Sequence, residues 1–223
     1  MYGVRVLRLA SASPPRIELL RLLDTPFVPT NAGVDESRHD SPAQAKADAV
    51  AEAGDVTLAG DTEVDEDGEI VGKPHDPGAA ITMLANLAGH AHDVRTEVAL
   101  VTASGRRLRF AVRSRVTLRD LALREIERYV ATGEPLDKAG GYAIQGVGRR
   151  LVASYDGCLA NIMGLPLCHV YFALRRAGVV PRERPEVACQ AHFDFVCPVW
   201  RAAHRQGRAL REGADYSSWS EDV

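Results

Sequence analysis

Lysine is the residue this sequence comes closest to doing without. Among its 27 Lys and Arg residues only Lys46, Lys73 and Lys138 are lysines, and the rest are arginines. In a chain so biased, a persisting lysine points to a place where a compact ammonium on a flexible stem is needed instead of a planar guanidinium. Chance survival is the competing reading, and the neighbours of each lysine must decide. Long apolar runs are missing as well. No stretch approaches the roughly 18–20 uncharged apolar residues of a membrane span, so no membrane partner is expected. The N-terminal MYGVRVLRLASASPP carries arginines inside its apolar run. It reads as a strand and not as a secretory signal, which makes a cytoplasmic home the expectation. An excess of one charge is missing too: the formal net charge is −3. That excludes a bulk polyanion binder, and no nucleic-acid partner is expected. Paired cysteine motifs are absent: Cys158, Cys168, Cys189 and Cys197 form no repeated C-x-x-C, in keeping with a reducing compartment.

What is present is ordinary globular composition, with 223 residues, 46% hydrophobic and 26% charged. That length suits one large domain or two closely packed lobes. Val4–Leu9 alternates as a half-buried strand does and leads through Ser11-Ala12-Ser13-Pro14-Pro15-Arg16 into a helix over Ile17–Asp24. Ser13 suits its N-cap, and a first-turn proline is tolerated there. Pro42–Ala53 reads as helix, and Val56–Ala59 as a short apolar strand ending on Gly60-Asp61-Thr62. A turn at Asp67-Gly68 precedes a strand at Glu69–Val71, and Pro77–Leu87 is a helix closed by Gly89. Val94–Thr102 and Arg106–Leu118 form a hairpin about Ser104-Gly105, and Leu121–Thr132 is a helix ending at Gly133. A glycine-rich crossing at 140–146 precedes a strand near Leu151–Tyr155 and a helix over Pro166–Ala177. There is no internal repeat. From Pro181 onward no periodicity is evident, and residues 181–223 read as a C-terminal appendage to a two-lobed domain over 1–180. Strands and helices in this order leave α/β and α+β both open.

Several residues could carry chemistry. A strand ending in small residues and feeding a helix aims free backbone N–H groups and a partial positive charge at one spot. Ser11, Ser13 and Arg16 add hydroxyls and a guanidinium fork there, which suits a phosphate. Asp61, fixed by the strand before it and given room by Gly60, can hold a divalent cation or take a proton from water. Glu63, Asp65, Glu66, Asp67 and Glu69 read as a solvated turn. Asp35-Glu36 is a second acidic pair, with Lys46 on the helix between the two acidic sites, and Lys73 precedes Pro74 in a turn. The Gln145 amide offers the donor and acceptor that reading a base edge requires; a hydrogen bond to a neighbouring loop is its plainer use. In the tail, Cys189, His192, Cys197 and His204 could ligate zinc, but without the tight paired spacing of structural sites. Packing of Phe193, Phe195, Val196 and Trp200 onto the main body or a dimer partner is the better reading.

Taken together these segments resemble a known family. Leu9-Ala-Ser-Ala-Ser-Pro14, Val34-Asp-Glu36, Lys46-Ala47, Gly60-Asp-Thr62, Gly72-Lys-Pro74, His92–Thr96, Gly133-Glu-Pro-Leu-Asp-Lys-Ala139, Tyr142-Ala-Ile-Gln-Gly146 and Gly164-Leu-Pro166 occur in the order seen in the Maf nucleoside triphosphate pyrophosphatases. The resemblance spans about residues 4–175. It implies a two-lobed α/β fold with a mixed sheet, related to the inosine triphosphate pyrophosphatases, with ligand in the cleft between lobes. It also implies hydrolysis of a nucleoside triphosphate, dTTP or UTP or a modified pyrimidine nucleotide, at the α–β phosphoanhydride. That house-cleaning role would extend to restraint of cell division. Alternatives are a purine or other modified substrate, or a nucleotide-sensing regulator of septum formation without turnover. By the same resemblance Asp61 is the catalytic base, and Glu36 joins it in holding Mg²⁺ or Mn²⁺. Lys46 and Lys73 lie near the phosphates, Ser11, Ser13 and Arg16 receive the triphosphate, and Thr62 and Gln145 match positions of the dTTP/UTP-preferring branch. A homodimer is implied. The chain departs from the family's usual Ser-x-Ser-Pro-Arg-Arg by placing Pro15 where the first arginine stands, and only nine residues separate Glu36 from Lys46.

Overall fold

The computed structural model describes residues 6–219. Val4 and Arg5 of the expected first strand lie outside the described residues. The chain is α/β, built on a mixed sheet that has eight strands among the described residues. Its strands are β1 (Leu7–Leu9), β2 (Val28–Pro29), β3 (Val56–Glu66), β4 (Glu69–Val71), β5 (Ala91–Val101), β6 (Arg107–Leu118), β7 (Val152–Asp156) and β8 (Ala214–Tyr216). They run in the order β2-β1-β3-β5-β6-β7, with β4 on β3 and β8 on β6. Two compact units divide the chain. The first comprises the described residues up to Asp61, Thr96–Val112 and Cys158 onward, and the second comprises Thr62–Arg95 and Arg113–Gly157.

In the first unit β1 lies parallel between β2 and the start of β3, with Leu7 opposite Val56 and Leu9 opposite Leu58. Helix α1 (Pro14–Arg21) follows β1, and its Leu19 and Leu20, with Leu23 just beyond, are fully buried beside Leu9, Leu58, Leu100 and Phe110. Each such leucine contributes about 1.5–3 kcal/mol of hydrophobic stabilisation. Helix α2 (Pro42–Val50) starts at Ser41, whose Oγ accepts the Gln44 N–H at 3.2 Å. Its buried Ala43, Ala47 and Val50 share one face by helical spacing and meet Ala10, Ala59, Ala99 and Val101. Small side chains on both surfaces let this helix lie close to the strands.

The second unit holds the end of β3, where a turn at Asp67 and Gly68, both with positive φ, returns the chain as β4. Helix α3 (Pro77–Leu87) is capped by Asp76 Oδ1, which accepts the Ala79 N–H at 2.7 Å. It packs on α4 (Leu123–Val130), burying Leu84, Leu87, Ile126 and Tyr129. Among the described residues, no helix of either unit is long and apolar enough to cross a membrane.

Several expectations need correction. The strand at Val56 does not stop at Ala59 but runs to Glu66, so Asp61 lies within β3 and not beyond its end. Of the acids read as a solvated turn, Asp67 is an exposed turn residue as expected, but Glu63, Asp65, Glu66 and Glu69 are strand residues: Asp65 and Glu66 pair with Ile70 and Glu69, and Arg95 and Arg113 meet Glu63 and Asp65 at 3.0 and 3.5 Å. Pairing supplied from distant sequence outweighed local polarity. The segment after Pro181 is likewise ordered. After α5 (Leu159–Ile162) and α6 (Leu167–Arg176), it forms α7 (Pro185–Phe193), α8 (Trp200–Arg208) and β8, which pairs parallel with Phe110–Val112 of β6. Phe193 and Phe195 pack on the first unit's core, Trp200 lies edge-on to His204, and Val196 projects into solvent at 86% exposure, against expectation.

Candidate active site

Within β3 the side chains from Val56 to Gly60 are buried, and from Asp61 they become half-buried. Asp61 therefore stands where the strand emerges from the core, its backbone held by the ladder and its carboxylate reachable. Lys46, on the α2 face beside Ala43 and Ala47, brings its Nζ to 2.7 Å from Asp61 Oδ1 and 2.7 Å from Glu36 Oε1. The lysine side chain is only 10% exposed, against 18% for Asp61 and 46% for Glu36. Glu36 opens a 3-10 turn (Glu36–Arg38) fixed by Asp35, whose Oδ1 accepts from the Ser37 N–H and hydroxyl. Asp35 thus serves the turn, and Glu36 is left to face the lysine. Two carboxylates converging on one ammonium leave these three groups one negative charge in excess, which the Arg16 guanidinium beside them offsets.

Arg16 supplies positive charge beside this pair. It stands in the first turns of α1, and its Nε donates to the Gly164 carbonyl at 2.9 Å. Burial lowers its pKa, and the charges of Asp61 and then Glu36 act in the opposite direction; a guanidinium remains charged throughout. Gly60 makes this placement possible. A Cβ there would come within 3.1 Å of Arg16 Nε and 3.3 Å of the Gly164 carbonyl oxygen. The need is for space, since its φ is ordinary. At the start of the same helix Ser13 occupies the N-cap position, but its hydroxyl makes no cap bond. Ser11 is buried, and its Oγ accepts the Ser13 N–H at 3.2 Å.

The structure therefore brings Glu36, Lys46, Asp61 and Arg16 together in the first unit. Thr62, Lys73 and Gln145 belong to the second. There Lys73 lies in an exposed turn that is itself pinned, because the Gly72 carbonyl accepts the Gly140 N–H at 3.0 Å and Pro74 lies 3.8 Å from where a Gly141 Cβ would be. Gly140 and Gly141 both have positive φ, and their bare Cα atoms face Val64 and Met83. No described residue pairs with the Lys73 ammonium or hydrogen-bonds the half-buried Gln145 amide. The plainer use of Gln145, a bond to a neighbouring loop, is not what the structure has. Thr62, half-buried, is the first residue of β3 in the second unit.

Among the described residues no three His, Cys, Asp or Glu side chains gather as metal ligands. The groups that could hold a cation are the two carboxylates, already within bonding distance of one positive nitrogen. That donor set fits a hard divalent cation such as Mg²⁺ or Mn²⁺, which uses one or two carboxylates and fills its shell with water and phosphate oxygens. The tail's candidate zinc ligands go elsewhere: His192 Nε2 meets Glu18 at 2.7 Å and His204 Nε2 meets Glu186 at 3.1 Å. Burial pushes the Cys189 thiol up to about 12 and raises Cys158, Cys168 and Cys197, so all four are protonated at neutral pH. Sequence reasoning missed the Gly164 carbonyl that aims Arg16. A backbone acceptor carries no residue-type signal, although Gly164-Leu-Pro166 had stood out as a segment.

One carboxylate on a strand and one on a turn, with an ammonium and a guanidinium beside them, are groups of the kind that hold a cation and a polyphosphate. The family model for Maf-like proteins matches residues 6–177, and the chain belongs to that family. It is 45% identical over 185 residues to a dTTP/UTP pyrophosphatase of Myxococcus xanthus (strain DK1622), covering 78% of this chain and 93% of that protein. It is 48% identical over 184 residues to a dTTP/UTP pyrophosphatase of Moorella thermoacetica, covering 77% and 94%. A third such relative, from Syntrophotalea carbinolica, is 38% identical over 200 residues, covering 83% and 91%.

Proposed function

We propose that this protein hydrolyses nucleoside triphosphates, dTTP and UTP foremost, to the monophosphate and pyrophosphate. The observation that carries the reading is the convergence of Glu36 and Asp61 on one cationic nitrogen beside Arg16, in a chain whose relatives bear that activity in their names. Glu36 and Asp61 would hold the divalent cation. When bound, it would neutralise phosphate oxygens and lower the pKa of water. Asp61 orients the attacking water and takes its proton, and an ordinary carboxylate suffices for that task. The water oxygen bonds to the α-phosphorus as the bond from that phosphorus to the α–β bridging oxygen breaks, and the electron pair leaves on pyrophosphate. Lys46, Lys73 and Arg16 offset the charge growing on that leaving group. Ser11 and Ser13 bind the triphosphate with α1. Gln145, with no hydrogen bond to lose among the described residues, can pair with N3–H and O4 of thymine or uracil, with Thr62 as a further pyrimidine contact.

Pro15 favours a second reading of the substrate, because an arginine is missing where the family's pyrimidine-preferring pattern has one. A purine or modified triphosphate is then the alternative. The family likeness supports the cytoplasm and a homodimer. Pyrophosphate release from a panel of canonical and modified triphosphates tests both readings, with Asp61→Asn as control. The expected result is preference for dTTP and UTP and a loss of at least ~100-fold in Asp61→Asn. A folded Asp61→Asn protein with near-normal turnover would overturn the role of Asp61, and a wild-type protein that binds nucleotide without releasing pyrophosphate would favour a sensor.

A further inference from the structure

The Gln145 amide has no partner among the described residues, yet an amide that swings among rotamers cannot discriminate one base edge from another. Discrimination of this kind needs a group held close to its productive geometry by its surroundings. What holds Gln145 is its backbone, and the second unit shows how. Two residues before it, the Ala143 N–H donates to Tyr129 Oη at 3.1 Å. Three residues after it, the Gly148 N–H donates to Glu134 Oε2 at 2.9 Å. The Glu134 carboxylate lies near enough to the Tyr129 phenol to raise its pKa. A ring of contacts results, in which two backbone donors flanking Gln145 are tied to this phenol and this carboxylate.

The ring is built tightly. Tyr129 is 3% exposed on α4. Glu134 opens the 3-10 turn that follows Gly133, a residue with φ of +76°. A Cβ at Gly146 would run into Glu134 Oε1, and one at Gly148 would lie 2.6 Å from Tyr129 Oη. These two glycines therefore let the acid and the phenol approach the loop backbone. Upstream, Tyr142 Oη meets His92 Nε2 at 2.7 Å, so the loop is anchored on its other side as well. Burial and the neighbouring acids keep the Tyr129 phenol protonated, and its oxygen accepts the Ala143 N–H.

We propose that Tyr129 and Glu134 are positioning residues that set base preference by fixing the backbone on either side of Gln145. The inference rests on the reading of Gln145 as the base contact. A merely structural ring would influence stability alone, whereas a positioning ring also influences the choice among nucleotides.

The test compares Tyr129→Phe, Glu134→Gln and Gln145→Ala in the full chain with Mg²⁺, using dTTP, UTP, dCTP and dATP. Tyr129→Phe and Glu134→Gln should each lower the kcat/KM ratio of dTTP over dATP by about tenfold, the scale of one hydrogen bond, with the loss mainly in KM for dTTP. Amide hydrogen exchange at Ala143 and Gly148 should quicken in both. If both variants keep the wild-type ratio while Gln145→Ala loses it, the positioning role is overturned and the base reading stands. If Gln145→Ala itself keeps the ratio, the base reading fails and takes the positioning role with it. Unchanged exchange at Ala143 and Gly148 overturns the ring as the restraint on the loop, whatever the kinetics. Should Tyr129→Phe fail to fold, Glu134→Gln carries the same outcomes.

Discussion

Replacing Gly60 by alanine adds a single methyl group. The new Cβ would sit 3.1 Å from Arg16 Nε and 3.3 Å from the Gly164 carbonyl oxygen, so one of the two must yield by a few tenths of an ångström. The carbonyl is poorly able to retreat. Its turn is fixed by bonds from the Gly164 N–H to the Asn161 carbonyl at 2.8 Å and from the Leu165 N–H to the Ala160 carbonyl at 2.9 Å. Arg16 is therefore the group that moves, and its 2.9 Å bond to Gly164 is the one that lengthens or breaks. A hydrogen bond from a charged donor contributes about 1.5–3 kcal/mol, which converts to a loss of roughly 10- to 100-fold in kcat/KM for a triphosphate. Pyrophosphate release measured over a range of dTTP concentrations reads this directly, and the change should fall mainly on KM. The displaced guanidinium can hydrate, so the melting temperature should fall by no more than about 2–4 °C, the shift for ~1 kcal/mol in a chain of this size. Wild-type kcat/KM in Gly60→Ala would refute the argument that this glycine exists to seat Arg16.

Two further predictions address specificity and acid stability. Pro15→Arg should shift kcat/KM toward dTTP and UTP in the substrate panel, and an unchanged profile would show that this position does not read the base. Burial holds the His169 imidazole at about 4, with the Gln206 bond opposing. The folded state therefore binds fewer protons than the unfolded chain below pH 6.5: stability is fully present above that pH and falls as pH drops toward 4. The loss at pH 5 is about 2 kcal/mol for this group. Urea unfolding at pH 7 and pH 5 should show that much less acid sensitivity in His169→Gln than in wild type, and equal sensitivity would refute the assignment. His92, which burial and Arg115 also hold at about 4, contributes in the same direction.

Much of this architecture is legible in the residue order. Asp76 and Pro77 announce the start of α3, Gly89 its end, and Asp67-Gly68 the β3–β4 turn, because caps and positive-φ turns are local physics. The acids and bases at 16, 36, 46 and 61 stand out through motif order, and the structure brings those four together. What stayed hidden depends on partners distant in sequence. β3 continues past Asp61 because Ile70, Arg95 and Arg113 receive its polar residues, and no local pattern names them. Helix α8 escapes periodicity because its buried face is Ala202, Ala203, His204 and Gly207. At Gly207 the Phe172 ring of α6 lies so close that it would meet a Cβ, and small residues packed this closely leave no apolar stripe to read. The ring around Gln145 was invisible for the reason that hid Gly164: its acceptors meet backbone amides, which every residue carries.

The last strand has a bearing on how this protein could be shortened. The family match ends at residue 177, while β8 hydrogen-bonds along Phe110–Val112 and α8 packs on α6. Cutting the polypeptide back to the portion shared with its relatives would strip an occupied sheet margin and leave raw amides beside newly bared hydrocarbon, the combination that recruits neighbouring molecules into aggregates.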